Sequence, residues 1–223
     1  MNSKMPHRYI NLHTHRPTGI DNLTEIVNIE LSNTLPNALP EYCSLGIHPW
    51  HASDNNIALD RLNKHAKNKQ FIAIGETGLD KVRCGTYEQQ LDLLHKHIEL
   101  SEELHKPLIL HCVRYYNEII TLRKELKPKQ AWIFHGFNAS VEIMKQATNH
   151  GFYFSYGPSI LNSKSKAAKS LLHTPSDRLF FETDDSTESI ENIYTKAAHI
   201  LGIQINDLLS ITNDNFKFLF NSI

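Results

Sequence analysis

Short apolar, β-rich runs punctuate the chain at intervals: 8–12 (RYINL), 25–31 (EIVNIEL), 42–47 (YCSLGI), 71–75 (FIAIG), 107–110 (PLIL), 131–134 (AWIF), 152–156 (FYFSY) and 178–181 (RLFF). Runs this short, bounded by turn residues and apolar on consecutive positions, predict strands buried on both faces. Between the later ones lie amphipathic segments at 55–69, 87–105, 115–126, 138–150 and 164–172, and two more at 187–202 and 206–221 close the chain. Strand and helix in alternation imply βα units on a parallel sheet. Eight such strands predict an α/β fold, a single-domain (β/α)8 TIM-type barrel over 1–223. Its first two units are expected to be trimmed, because the connections 13–24 and 32–41 are too short, or too rich in Pro and Asn, for full crossover helices.

Polar residues follow these runs in a consistent way. The first run leads into His13 and His15; Glu76 follows the fourth, His111 the fifth and His135 the sixth, and RLFFETDD delivers Asp184. In a parallel barrel all of these positions fall at the carboxyl face, where barrel enzymes build their sites. On a strand, residues two apart share a side, so His13 and His15 aim together. His95 and His97 have the same spacing, but they sit among Leu91, Leu94, Ile98 and Leu104 at helical period, and are expected on a solvated helix face. Four imidazoles and two carboxylates exceed the needs of one catalytic zinc ion. They suit two divalent ions sharing a carboxylate, for which Glu76 is the natural bridge. The imidazole-rich set favours Zn, Mn, Ni or Co over Mg.

Bulk properties add little but exclude much. The 223 residues carry a formal charge of −1, so no global field attracts nucleic acid or membrane. The basic clusters KVR (81–83), RKELKPK (123–129) and NSKSKAAK (162–169) read as solvated helix faces. Cys43, Cys84 and Cys112 form no framework, as in reduced cytoplasmic proteins. No apolar leader or membrane-spanning run is evident, so a cytoplasmic location is expected.

The ordered set H-x-H, SLGIHPWH, AIGETGLD, LHCVR, FHGFN and FETDD resembles the TatD family of metal-dependent deoxyribonucleases, within the amidohydrolase superfamily. The resemblance implies that His13, His15 and Asp184 hold one ion, His111 and His135 hold the second, and Glu76 bridges them. Asp184 would also act as general base, making Asp184, Glu76 and His135 the expected catalytic group. Hydroxide formed at the dinuclear site would hydrolyse phosphodiester bonds, in DNA and in exonuclease fashion, or in a smaller diester. His48, His51 and Arg114 are expected to face the substrate phosphate, and Asp80 to orient a ligand. A monomer or weak homo-oligomer is expected.

Two departures stand out. Asn11 replaces the leading aspartate of the family's D-x-H-x-H, and Asp185, Ser186 and Thr187 run almost directly into a helix where the family has a long loop. Rival readings are a PHP-type phosphoesterase, suggested by INLHTH, a small-molecule amidohydrolase, and a decayed barrel acting as a binding module.

Overall fold

A computed structural model describes residues 7–31, 35–83 and 85–220, by backbone alone at 54–58. Cys84 lies outside the described residues. Eight strands form one parallel sheet in sequence order: β1 (Tyr9–Thr14), β2 (Leu23–Glu30), β3 (Tyr42–Gly46), β4 (Phe71–Asp80), β5 (Leu108–Val113), β6 (Trp132–Phe134), β7 (Phe152–Tyr156) and β8 (Leu179–Phe181). Each of the eight predicted runs becomes one of them. The chain is an α/β barrel of the (β/α)8 kind, and the trimming falls where the connections predicted it. Among the described residues, no helix intervenes between β1 and β2 or between β2 and β3.

Among the described residues the α-helices are α1 (Asn55–His65), α2 (Tyr87–Leu104), α3 (Tyr116–Leu126), α4 (Val141–Asn149), α5 (Lys166–Leu171), α6 (Ile190–Leu201) and α7 (Ile205–Phe220). Several starts are written locally. Thr86 and Gln89 form a reciprocal capping box at α2, while Ser140, Ser165 and Ser189 cap α4, α5 and α6 with their hydroxyls.

Alternation along the strands decides what fills the barrel. Ile26, Ile109, Ile133, Tyr153 and Phe180 belong to a small buried cluster that also takes in Ile10, Leu12, Ile72 and Phe220. Two residues further along the same strands stand Asn28, His111, His135 and Ser155, and Glu182 follows β8 at the same spacing. The period of two gives each pair one face, so an apolar layer underlies a polar one. Phe216, Leu219 and Phe220 of α7 pack against the apolar layer and close that end. The larger core cluster joins the strands to the surrounding helices.

Two expectations need correction. β4 does not end at Gly75 but continues through Asp80, with all ten of its positions buried. The glycines permit this: a Cβ at Gly75 would overlap the Ile109 carbonyl, and one at Gly78 the His111 carbonyl. With backbone φ of 137° and 148°, neither position suits a side chain. His97 is the second case, being fully buried rather than solvated. Its Nε2 accepts the Ile47 N–H at 3.0 Å and its Nδ1 donates to the Leu93 carbonyl at 2.8 Å, so the ring ties α2 to the segment after β3.

Candidate metal centre

The barrel closes at the site itself. Past the end of the regular ladders, Asp184 N–H donates to the His13 carbonyl and His15 N–H to the Asp184 carbonyl, both at 3.0 Å. This bridge between Thr14 and Asp184 joins the first strand to the last and brings three candidate side chains together. Asp184 Oδ1 stands 3.7 Å from His13 Nε2 and 3.5 Å from His15 Nε2. Asn11 fastens the same seam, accepting from Thr183 N–H and donating to Thr183 Oγ1, both at 2.9 Å.

Glu76 occupies the centre, buried, with its two oxygens facing opposite groups. Oε2 lies 3.3 Å from His13 Nε2 and 3.5 Å from His15 Nε2. Oε1 is met by His135 Nε2 at 2.8 Å, His111 Nδ1 at 2.9 Å and His48 Nε2 at 3.2 Å. Burial opposes its charge, but His135, His111 and His13 around it hold its carboxyl well below the usual range. Desolvation likewise opposes the charge of His135, yet Glu76 and Glu182 raise its pKa well above the ordinary value. His15 is raised by its contact with Glu76, whereas burial lowers His48.

A ring of outer contacts aims these groups. Glu182 Oε1 takes His135 Nδ1 at 3.1 Å, and Asp80 Oδ2 takes His111 Nε2 at 3.1 Å. Each histidine thereby turns its other nitrogen to Glu76, the arrangement by which outer carboxylates fix the tautomer of a ligand. Asn28 Oδ1 accepts both the Glu76 N–H and the Ser44 hydroxyl at 3.0 Å, and Glu30 accepts the His48 N–H at 2.9 Å. His48 differs from the rest: its Nδ1 accepts the Trp50 N–H at 3.2 Å, which leaves the proton on Nε2.

These residues fit a metal. His13 is wholly buried, and among the described residues neither ring nitrogen makes a well-aligned hydrogen bond, although Nε2 faces the Glu76 carboxylate at 3.3 Å, a costly state that a cation would relieve. Ligand atoms within 4.8 Å of one another occur in His13, His15 and Asp184; in His13, Glu76 and His135; in His48, Glu76 and His111; and in His135, Glu182 and Asp184. All six residues expected as ligands thus come together. His48 joins them, while the exposed side chain of His51 makes no contact with the cluster among the described residues. Arg114 directly follows β5, exposed and with φ of 63°.

A model of TatD related DNases matches residues 21–221. The chain belongs to this family. The matched stretch begins after His15 and takes in Glu76, His111, His135 and Asp184. An uncharacterized metal-dependent hydrolase of Buchnera aphidicola is 31% identical over 185 residues, 82% of this chain and 68% of its own length. A 3'-5' ssDNA/RNA exonuclease TatD of Erwinia tasmaniensis is 29% identical over 168 residues, 72% of this chain and 65% of its own. In fold, the chain resembles the crystal structure of YJJV, a TatD homolog from Escherichia coli, with a TM-score of 0.82 at 20% identity, covering 97% and 99% of the two chains.

The protein is therefore a TatD-family metal-dependent hydrolase. Glu182, Asn28, Ser44 and Glu30 are site residues that the sequence reading passed over. Only Asn28 left a clear signal, as a lone amide inside the apolar run EIVNIEL.

Proposed function

We propose that this TatD-family hydrolase cleaves phosphodiester bonds in single-stranded DNA, and that Glu76 and the histidines around it would hold two divalent ions. The division of the Glu76 carboxylate carries the reading: one oxygen faces His13 and His15, the other His111 and His135. His13, His15 and Asp184 would hold one ion and His111 and His135 the other. When bound, such ions lower the pKa of water to about 7 and neutralise charge developing on phosphoryl oxygens.

The remaining work falls to the chain's own side chains. Asp184, whose side chain is 37% exposed beside His15, takes the proton of the attacking water. His48 keeps its proton on Nε2, which faces Glu76 at 3.2 Å, and a neutral N–H there can turn from that carboxylate to hydrogen-bond a phosphoryl oxygen of the substrate. Arg114, exposed just past the carboxyl end of β5, forks onto the same phosphate. Glu182 and Asp80 keep His135 and His111 turned inward.

The test is nucleotide release from single-stranded DNA by the metal-reconstituted protein, beside Asp184→Asn. Metal-dependent release that disappears in the variant is expected. A protein that holds metal, releases no nucleotide, and hydrolyses a phosphomonoester or a cyclic amide instead overturns the reading.

A further inference from the structure

The turn after β4 carries a cation to the site through contacts that begin at Asp80. Asp80 is buried, and its two oxygens serve different partners. Oδ1 accepts the backbone N–H groups of Val82 at 2.8 Å and Arg83 at 3.3 Å, fixing the turn as the chain leaves the strand. Oδ2 accepts the Trp50 indole N–H at 2.8 Å and faces His111 Nε2 at 3.1 Å. The Arg83 guanidinium lies over the Trp50 ring, 4.5 Å from its centroid. That ring is in turn 4.5 Å from His48 and 6.2 Å from His111. One carboxylate therefore locks a candidate ligand, an indole and an arginine into a single unit.

KVR at 81–83 was expected on a solvated helix face, and it instead occupies this turn beside the site. Arg83 is exposed, and no carboxylate pairs with it among the described residues. A guanidinium held over an indole ring in this way still has N–H groups that can fork onto phosphate. Holding it there in advance also reduces the freedom it loses when a ligand arrives.

We propose that Arg83, seated on Trp50, binds a phosphate flanking the one that is cleaved. This rests on the phosphodiesterase reading above and adds that the substrate is a strand with more than one phosphate. Trp50, partly exposed, supplies the platform.

The experiment compares two probes with the metal-reconstituted full chain: a single-stranded thymidine octanucleotide, and bis(p-nitrophenyl) phosphate, a diester with no flanking phosphate. Arg83→Gln should lower kcat/KM on the octanucleotide about tenfold, chiefly through KM. The aryl diester offers Arg83 nothing to hold and should lose far less. Arg83→Lys, which keeps the charge without the fork, should fall between. Added salt should narrow the gap between parent and Arg83→Gln on the octanucleotide, because the contact releases about one counterion. Equal losses on both probes, or no loss on the octanucleotide, overturn the subsite while leaving the phosphodiesterase intact. A parent that cleaves the aryl diester and not the octanucleotide removes the nucleic-acid substrate and this subsite with it, and a parent that cleaves neither removes the phosphodiesterase reading itself.

Discussion

His97 makes stability depend on pH in a way that can be separated from every other histidine. Burial drives its pKa from 6.5 down to about 4, the hydrogen bond to the Leu93 carbonyl opposing only in part. Ile47 N–H already occupies Nε2, so a second proton would set two donors against each other. The unfolded chain therefore binds a proton that the folded chain refuses between about pH 6.5 and pH 4, and stability falls as pH falls through that window. At about 1.4 kcal/mol per unit the full effect is about 3 kcal/mol, of which about 2 kcal/mol is lost by pH 5.

His97→Gln removes the titration while offering an amide oxygen to Ile47 and an amide N–H to Leu93. At pH 8 the variant should be less stable by about 1 kcal/mol, the cost of imperfect hydrogen bonds. At pH 5 the parent should have lost its advantage and fallen below the variant. Urea unfolding of both proteins across this range reads the difference directly. The cluster around Glu76 titrates alike in the two chains, so its contribution cancels. Parallel stability curves would refute the assignment of a neutral, buried His97.

Two further outcomes are expected. Glu182→Gln keeps the shape but removes the charge behind His135, and should weaken metal binding about tenfold to a hundredfold in competition with a chromophoric chelator, with the melting temperature of the metal-free protein little changed. Unaltered affinity would show that His135 needs no carboxylate behind it. Tyr194→Phe removes the hydroxyl that contacts both the N–H and the carbonyl of Ile10 at 3.1 Å and also Thr212, and should cost about 1–3 kcal/mol in urea unfolding. A neutral result there would mean that the β1 backbone finds other partners.

The fold was legible because each strand of a closed parallel barrel is largely apolar on both faces over a short length; KFLF at 217–220 has the same look but belongs to the helical period of α7. The candidate ligands were legible for a related reason: the polar layer sits one step beyond the apolar one, so each ligand type is adjacent in sequence to its strand. Their supports were not. Asn28 and Glu76 stand 48 positions apart, and Glu182 reaches His135 across 47. Such pairs meet only once the barrel closes. His97 misled for a different reason, since amphipathic periodicity counts histidine as polar and cannot show that the Ile47 N–H needs an acceptor. The extension of β4 was hidden because glycine usually punctuates strands; here Gly75 and Gly78 let β5 approach too closely for any side chain.

The seam explains both the unusual backbone at Asp184 and the departure at Asn11. Asp184 has φ of 55°, a conformation that costs a non-glycine residue of order 1 kcal/mol and persists only where its surroundings impose it. Here they do: its N–H is held by the His13 carbonyl and its carbonyl by the His15 N–H. The same two bonds carry the carboxylate to the histidine pair, so strain, closure and the geometry of the candidate site come from one set of atoms. Asn11 both donates to and accepts from Thr183. An ionised aspartate could only accept, so the Thr183 hydroxyl would have to turn to it from Thr14 Oγ1, to which it donates at 3.1 Å, whereas an asparagine leaves that bond in place. Asparagine at position 11 thus keeps the hydrogen bonds between the first and last strands with no added charge. The charges facing His13 are those of Glu76 and Asp184, at 3.3 Å and 3.7 Å from its Nε2.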